Sequence, residues 1–160
     1  SGRRDCVSRQ TKRCIKFGSF VLLTLYIAVL IYVCFFSEDY GRDVITSYYR
    51  YNLIPFKEIR RFYIYRDVVG IRAFLANLFG NVLAFMPYGF FMPILRPKLR
   101  RMNRMFLAAF LLSLTIEITQ LLTRVGSFDV DDLILNTAGG IAGYLLFYIM
   151  NKIRSKWDGA

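Results

Sequence analysis

The sequence predicts an all-α polytopic membrane helix bundle, with four transmembrane helices and interfacial segments between the first and the second. Three observations predict it. Hydrophobic residues make up 56% of the chain. Four apolar runs, at about residues 17–36, 74–95, 106–122 and 133–150, approach or exceed the length that a bilayer crossing needs. Basic residues gather at the ends of these runs, which is how membrane topology is encoded. With 160 residues, the chain forms one domain of a few helices rather than two folding units.

The first element is the span 17–36, twenty residues without a charge, preceded by a basic tail over 1–16. The run is too long for a signal peptide and no small-x-small cleavage site follows, so a retained helix is expected. Residues 37–73 form an extracytoplasmic connection that mixes charge with Tyr48, Tyr49, Tyr51, Phe56, Phe62, Tyr63 and Tyr65. Aromatics interleaved with charge suit a segment lying in the headgroup zone. Asn52-Leu53-Ile54-Pro55-Phe56 breaks it into two short pieces, because proline biases the preceding residue away from helix.

The second span, 74–95, carries Asn77 and Asn81 one turn apart, with Gly80 and Ala84 beside them. Pro87 and Pro93 free the carbonyls of Leu83 and Gly89. A kinked helix is expected; a helix ending near Pro87 followed by a re-entrant turn is the alternative. The core of the fold is expected over 74–150, with a closing tail over 151–160. Gly139 and Gly143, with Ala138 and Ala142, form two small-xxx-small pairs on the fourth span and predict close packing against a neighbour. Fourteen Lys and Arg lie before the first span, between the second and third and after the fourth, against eight elsewhere. The positive-inside rule therefore expects both termini in the cytoplasm and residues 123–132 outside.

Composition also limits the chemistry. The chain has no His, which excludes a Ser-His-Asp triad and His-ligated zinc. Cys6, Cys14 and Cys34 make neither a disulfide framework nor a metal knuckle. The net charge of +11 belongs to topology and to contact with anionic lipid, so membrane lipids are expected partners and nucleic acid is not. No cofactor is expected.

Between the third and fourth spans, residues 117–136 read EITQLLTRVGSFDVDDLILN, a polar stretch flanked by two apolar ones. Acids inside a bilayer are costly and need a reason. Glu117 lies about eleven residues into the third span, roughly 16 Å along at 1.5 Å per residue, and Gln120 and Arg124 continue its stripe. Asn136 lies one turn below Asp132, and either Asp131 or Asp132 is expected to cap the fourth span. Asn77 and Asn81 lie in the first turns of the second. Arg72, Arg124 and the N-termini of the second and fourth spans could together hold an anionic headgroup. A hard-cation site from Glu117, Asp129, Asp131 and Asn136 is chemically feasible, but no ligand spacing supports it and no metal is expected.

The segments Asn52-Leu53-Ile54-Pro55-Phe56, Asn77 with Gly80 to Phe90, Glu117-Ile118-Thr119-Gln120, Phe128 to Asp132 and Asn136 to Gly140 occur in the order of the VanZ-like family, which the chain resembles over about residues 52–150. The resemblance implies a small multi-pass protein of the bacterial cell membrane, in a family named for a member linked to resistance against the glycopeptide teicoplanin. Asn77, Asn81, Glu117, Gln120, Arg124, Asp129, Asp132 and Asn136 match its polar pattern, and Asp131 lies among them. The function expected is binding of an envelope lipid, a lipid-linked cell-wall precursor or a lipoglycopeptide in an outward-facing polar pocket. An intramembrane enzyme with Glu117 as acid or base is the alternative, and a non-catalytic scaffold is the third reading.

Overall fold

The computed structural model describes residues 2–36, 49–65 and 71–158, with the side chains of 2–9, 62, 71, 73, 74, 76, 77 and 156–158 outside that description. The expected interfacial connection is therefore seen in part, since 37–48 and 66–70 lie outside the described residues. Among the described residues, five α-helices and two short strands follow in the order α1 (Gly2–Phe36), β1 (Tyr51–Asn52), α2 (Lys57–Ile64), α3 (Ile71–Leu95), α4 (Met102–Thr123), β2 (Phe128–Asp129) and α5 (Val130–Asp158). Four of the helices are long and apolar enough to cross a membrane, over Gln10–Phe36, Leu78–Leu95, Met102–Thr123 and Val130–Ser155. The architecture is the expected all-α membrane bundle.

Glycine sets how closely the helices meet. A Cβ on Gly139 would stand 2.2 Å from the Val82 carbonyl oxygen, and one on Gly143 would stand 2.0 Å from that of Met86. One turn of α5 therefore rests on one turn of α3, backbone against backbone, as small-residue stripes in membranes permit. Gly89 meets the Gly140 carbonyl in the same way, and Gly140 faces Ala109 of α4. Ala138 is exposed and Ala142 half-buried, so the glycine pair makes this close contact while the alanine pair lines an outer groove.

α3 runs unbroken through Pro87 and Pro93, so the re-entrant turn does not occur. Tyr26 of α1 donates its hydroxyl to the Ala84 carbonyl at 2.6 Å, pinning α1 to α3 next to the carbonyl that Pro87 leaves free. At the other end, Arg100 donates to the Pro93 carbonyl at 3.1 Å and lies over the Phe147 ring at 5.8 Å. Tyr144 donates to the Arg100 carbonyl at 2.8 Å. These bonds tie the basic loop to the apolar cluster of Met105, Ala109, Tyr144 and Phe147. The bundle thus has a basic end, and an opposite end where residues 49–65 meet 123–132.

Gly139→Val is expected to destabilise the bundle by on the order of 1–3 kcal/mol, the usual cost of overpacking, read as a lower melting temperature in detergent. Gly80→Ala, where an added Cβ meets nothing within 4 Å, should leave it unchanged or slightly raised.

Candidate functional site

The carboxylates at the end opposite the basic loop bind backbone, and that determines the site. α2 has no side-chain cap of its own: its N-cap, Phe56, is left-handed at φ 63°, which leaves the first N–H groups without a local acceptor. Asp131, 1% exposed, supplies one from α5. Its Oδ1 accepts the Phe56 N–H, and its Oδ2 accepts those of Glu58 at 2.8 Å and Ile59 at 3.2 Å. Asp131 thus caps α2 rather than α5, and Asp132 accepts from Asn81 of α3. Asp129 caps α5, its Oδ1 accepting the Asp131 N–H at 2.8 Å, so the expectation of an Asp131 or Asp132 cap is corrected. The helix begins three residues earlier than a cap at Asp132 implies, which leaves the carboxylate of Asp131 in its first turn to reach across.

Asn52 completes the junction. It donates to Asp129 Oδ1 at 3.1 Å and accepts the Ile54 N–H at 3.2 Å, while β1 and β2 pair in parallel with Tyr51 opposite Phe128 and Asn52 opposite Asp129. Beneath them Glu117, 2% exposed, accepts the Asp129 N–H at 2.9 Å. Glu117 of α4, the loop before α5 and the segment carrying β1 and α2 are joined through successive bonds.

Five expected residues converge on one small space. Asn81, Glu117, Gln120, Asp132 and Asn136 line a cavity of about 50 Å³, closed on its other side by Leu30, Val33 and Cys34 of α1. Asn81 donates to Asp132 at 2.5 Å, Gln120 to the Cys34 carbonyl at 2.9 Å and Asn136 to Ser113 at 3.0 Å. The Asn136 carbonyl oxygen, buried in the same wall, accepts no hydrogen bond. A buried acceptor without a donor costs about 1–3 kcal/mol, and the cavity is large enough for water. It is far smaller than the roughly 300 Å³ at which ligand pockets begin.

The other expected residues lie elsewhere. Arg124 ends α4 as its left-handed C-cap at φ 58°, so it leaves the stripe of Glu117 and Gln120; its guanidinium lies 4.7 Å over the Tyr49 ring. Arg72 is exposed and lines neither polar space. The Asn77 side chain lies outside the described residues. Since Asp129 occupies the start of α5, its terminus is not an open anion cradle beside Arg124.

Asp129 also faces outward. With Arg50, Tyr51, Asn52, Lys57, Glu58, Arg61 and Ser127 it lines a polar cleft of about 210 Å³, which the sequence reading missed. Its hint is the charge spacing over 50–61, where Arg50, Lys57 and Arg61 flank the Asn52 to Phe56 turn. Burial pushes the Asp129 carboxyl above its ordinary 3.8, the Asp131 N–H and the Asn52 amide oppose this, and the charges of Asp131 and Glu58 add to it.

The VanZ/LLP1 family model matches residues 23–151. The chain belongs to the VanZ/LLP1 family. A relative, Protein VanZ of Enterococcus faecium, is 30% identical over 133 residues, covering 82% of this chain and 74% of that protein. No solved structure matches. The VanZ/LLP1 match spans all four long helices in part or whole and includes β1, α2 and the carboxylates that dock them.

Asp131→Ala should free α2, because each charge-assisted bond lost is worth roughly 1.5–3 kcal/mol; amide exchange of residues 56–59 should quicken at least tenfold while that of α5 changes little. Asp129 titrates with the opposite sign to a salt-bridged acid. Its folded carboxyl holds a proton more tightly than the unfolded one, so its contribution to stability is full below pH 3.8 and falls as pH rises toward the folded value. Asp129→Asn keeps an acceptor for Asp131 and Asn52 and should remove that part of the decline in melting temperature above pH 4.

Proposed function

We propose that this VanZ-like protein lowers susceptibility to teicoplanin-like glycopeptides by holding an envelope lipid, a lipid-linked cell-wall precursor or the drug at the end of the bundle formed by residues 49–65 and 123–132. That end faces outward from the bacterial cytoplasmic membrane, with both termini in the cytoplasm. The Lys and Arg imbalance, fourteen against eight, supports the orientation.

The observation that carries the reading is the division into two polar spaces. The inner one has room for water alone. The outer cleft is open, holds cations, and shares Asp129 with the network that Glu117 supports. Ligand therefore belongs to the cleft, and Asn81, Glu117, Gln120, Asp132 and Asn136 act beneath it by keeping its floor in place. At 210 Å³ the cleft suits a headgroup or a fragment of one, and a whole glycopeptide would contact it only in part. A neighbouring apolar groove of about 570 Å³ between α4 and α5, from Phe106 to Val130, offers a path for an acyl or prenyl chain. Tyr51, Leu53, Ile54 and Phe56 are exposed, in keeping with a segment lying in the headgroup layer.

One observation favours a second reading, an enzyme that modifies an envelope lipid. Asp129 is an acid of raised pKa on the cleft wall, the condition that general acid–base work needs. Glu117 is sealed from that cleft, so the acid in this reading is Asp129.

Expression in a susceptible host should raise the inhibitory concentration of teicoplanin, and Asp131→Ala, present at equal membrane levels, should lose at least half of the gain. An unchanged gain in that variant would remove the docked segment from the function. Under the enzyme reading, Asp129→Asn abolishes the gain while lipid binding stays intact; under the binding reading, the two change together.

A further inference from the structure

We infer that Arg50, Lys57 and Arg61 form a binding site for the phosphate diester or pyrophosphate of an envelope lipid headgroup. The inference rests on the reading of the outer cleft as the ligand site, and it names the chemistry that the cleft recognises.

Three cations from two elements line one cleft, Arg50 beside β1 and Lys57 and Arg61 on α2. Arg61 is paired with Glu58 at 2.8 Å. Among the described residues, neither Arg50 nor Lys57 has a carboxylate within ion-pairing distance. Two unneutralised cations around a small concavity attract an anion, and guanidinium groups match phosphate oxygens in pairs. Asp129 and Glu58 also line the cleft, so a carboxylate ligand, which offers fewer acceptor oxygens against the same repulsion, is the poorer fit. Helix dipole does not supply the attraction, because the first N–H groups of α2 are bound to Asp131.

The cleft is built rather than incidental. Its floor is Asn52 and Asp129, each less than a tenth exposed and bonded to each other. The parallel pairing of β1 with β2 holds Arg50 at one wall, its carbonyl accepting the Phe128 N–H at 3.1 Å. Its depth fits a lipid source. The exposed apolar side chains of the Tyr51 to Phe56 turn put the cleft at the boundary layer, where lipid phosphates lie and where Lys and Arg gain from them.

The test uses the full chain in neutral detergent, with farnesyl pyrophosphate as the probe and farnesol and inorganic pyrophosphate as comparisons. Binding is read by tryptophan-independent thermal shift and by native mass spectrometry. Farnesyl pyrophosphate should bind and stabilise, farnesol should not, and inorganic pyrophosphate should bind at least tenfold more weakly. The double variant Arg50→Gln/Lys57→Gln should weaken farnesyl pyrophosphate binding at least tenfold. Arg60→Gln, on α2 but outside the cleft, should match the parent. Among the described residues no hydrogen bond or ion pair uses the Arg50 or Lys57 side chain, so the double variant should melt with the parent when no probe is present. Equal probe binding by parent and double variant would overturn the site, and equal affinity for inorganic pyrophosphate would overturn the lipid source. A double variant that loses binding yet keeps the full teicoplanin gain would leave this site standing and defeat the function proposed for it.

Discussion

Everything at the end where residues 49–65 meet 123–132 depends on carboxylates that bond to backbone distant in sequence. Asp131 takes three N–H groups from residues 56–59, and Glu117 takes the N–H of Asp129. A buried carboxylate without donors is strongly unfavourable. These are buried with donors, so the chain is held where the donors are. Moving α2 away would strand Asp131 and expose the first turn of α2 at once. A segment of eight residues, far too short to be a stable helix alone, is thereby kept folded by a residue more than seventy positions away.

Much of the bundle was legible in the sequence because membrane spans announce themselves by length and hydropathy. Gly139 and Gly143 were read as a contact face and proved to be one. The convergence of Asn81, Glu117, Gln120, Asp132 and Asn136 was also legible, since polar groups in apolar helices have few places to go. Other features were not. Arg124 follows Gln120 at helical spacing, but the helix ends at Thr123, and periodicity gives no warning of a left-handed residue that is not glycine. The role of Asp131 was missed because a capping motif is recognised by proximity in sequence, and this cap acts on a different helix. The Asn52 to Phe56 turn was read as a breaker; in the fold it also delivers Asn52 to Asp129 and the Phe56 N–H to Asp131.

The separation of a small polar niche from a larger cleft changes what the buried residues do. Substitutions at Glu117 or Asn136 reach the cleft only through the floor that they support, whereas residues of the cleft wall border it directly. Asp129 belongs to both spaces. It caps α5, receives Asn52, rests on Glu117 and borders the cleft, so it is the point at which the packing of the long helices reaches the cleft.

Docking of the 49–65 segment onto the loop before α5 is the central claim, and paired cysteines test it most directly. Tyr51 and Phe128 are register partners on adjacent strands, and neighbouring strands lie about 4.8 Å apart, within the Cα separation that a disulfide spans. With Cys6, Cys14 and Cys34 replaced, mild oxidation of Tyr51→Cys/Phe128→Cys in native membranes should yield the cross-linked form rapidly, and well ahead of the off-register pair Leu53→Cys/Phe128→Cys. Absence of the cross-link, or equal yields from both pairs, would contradict the account.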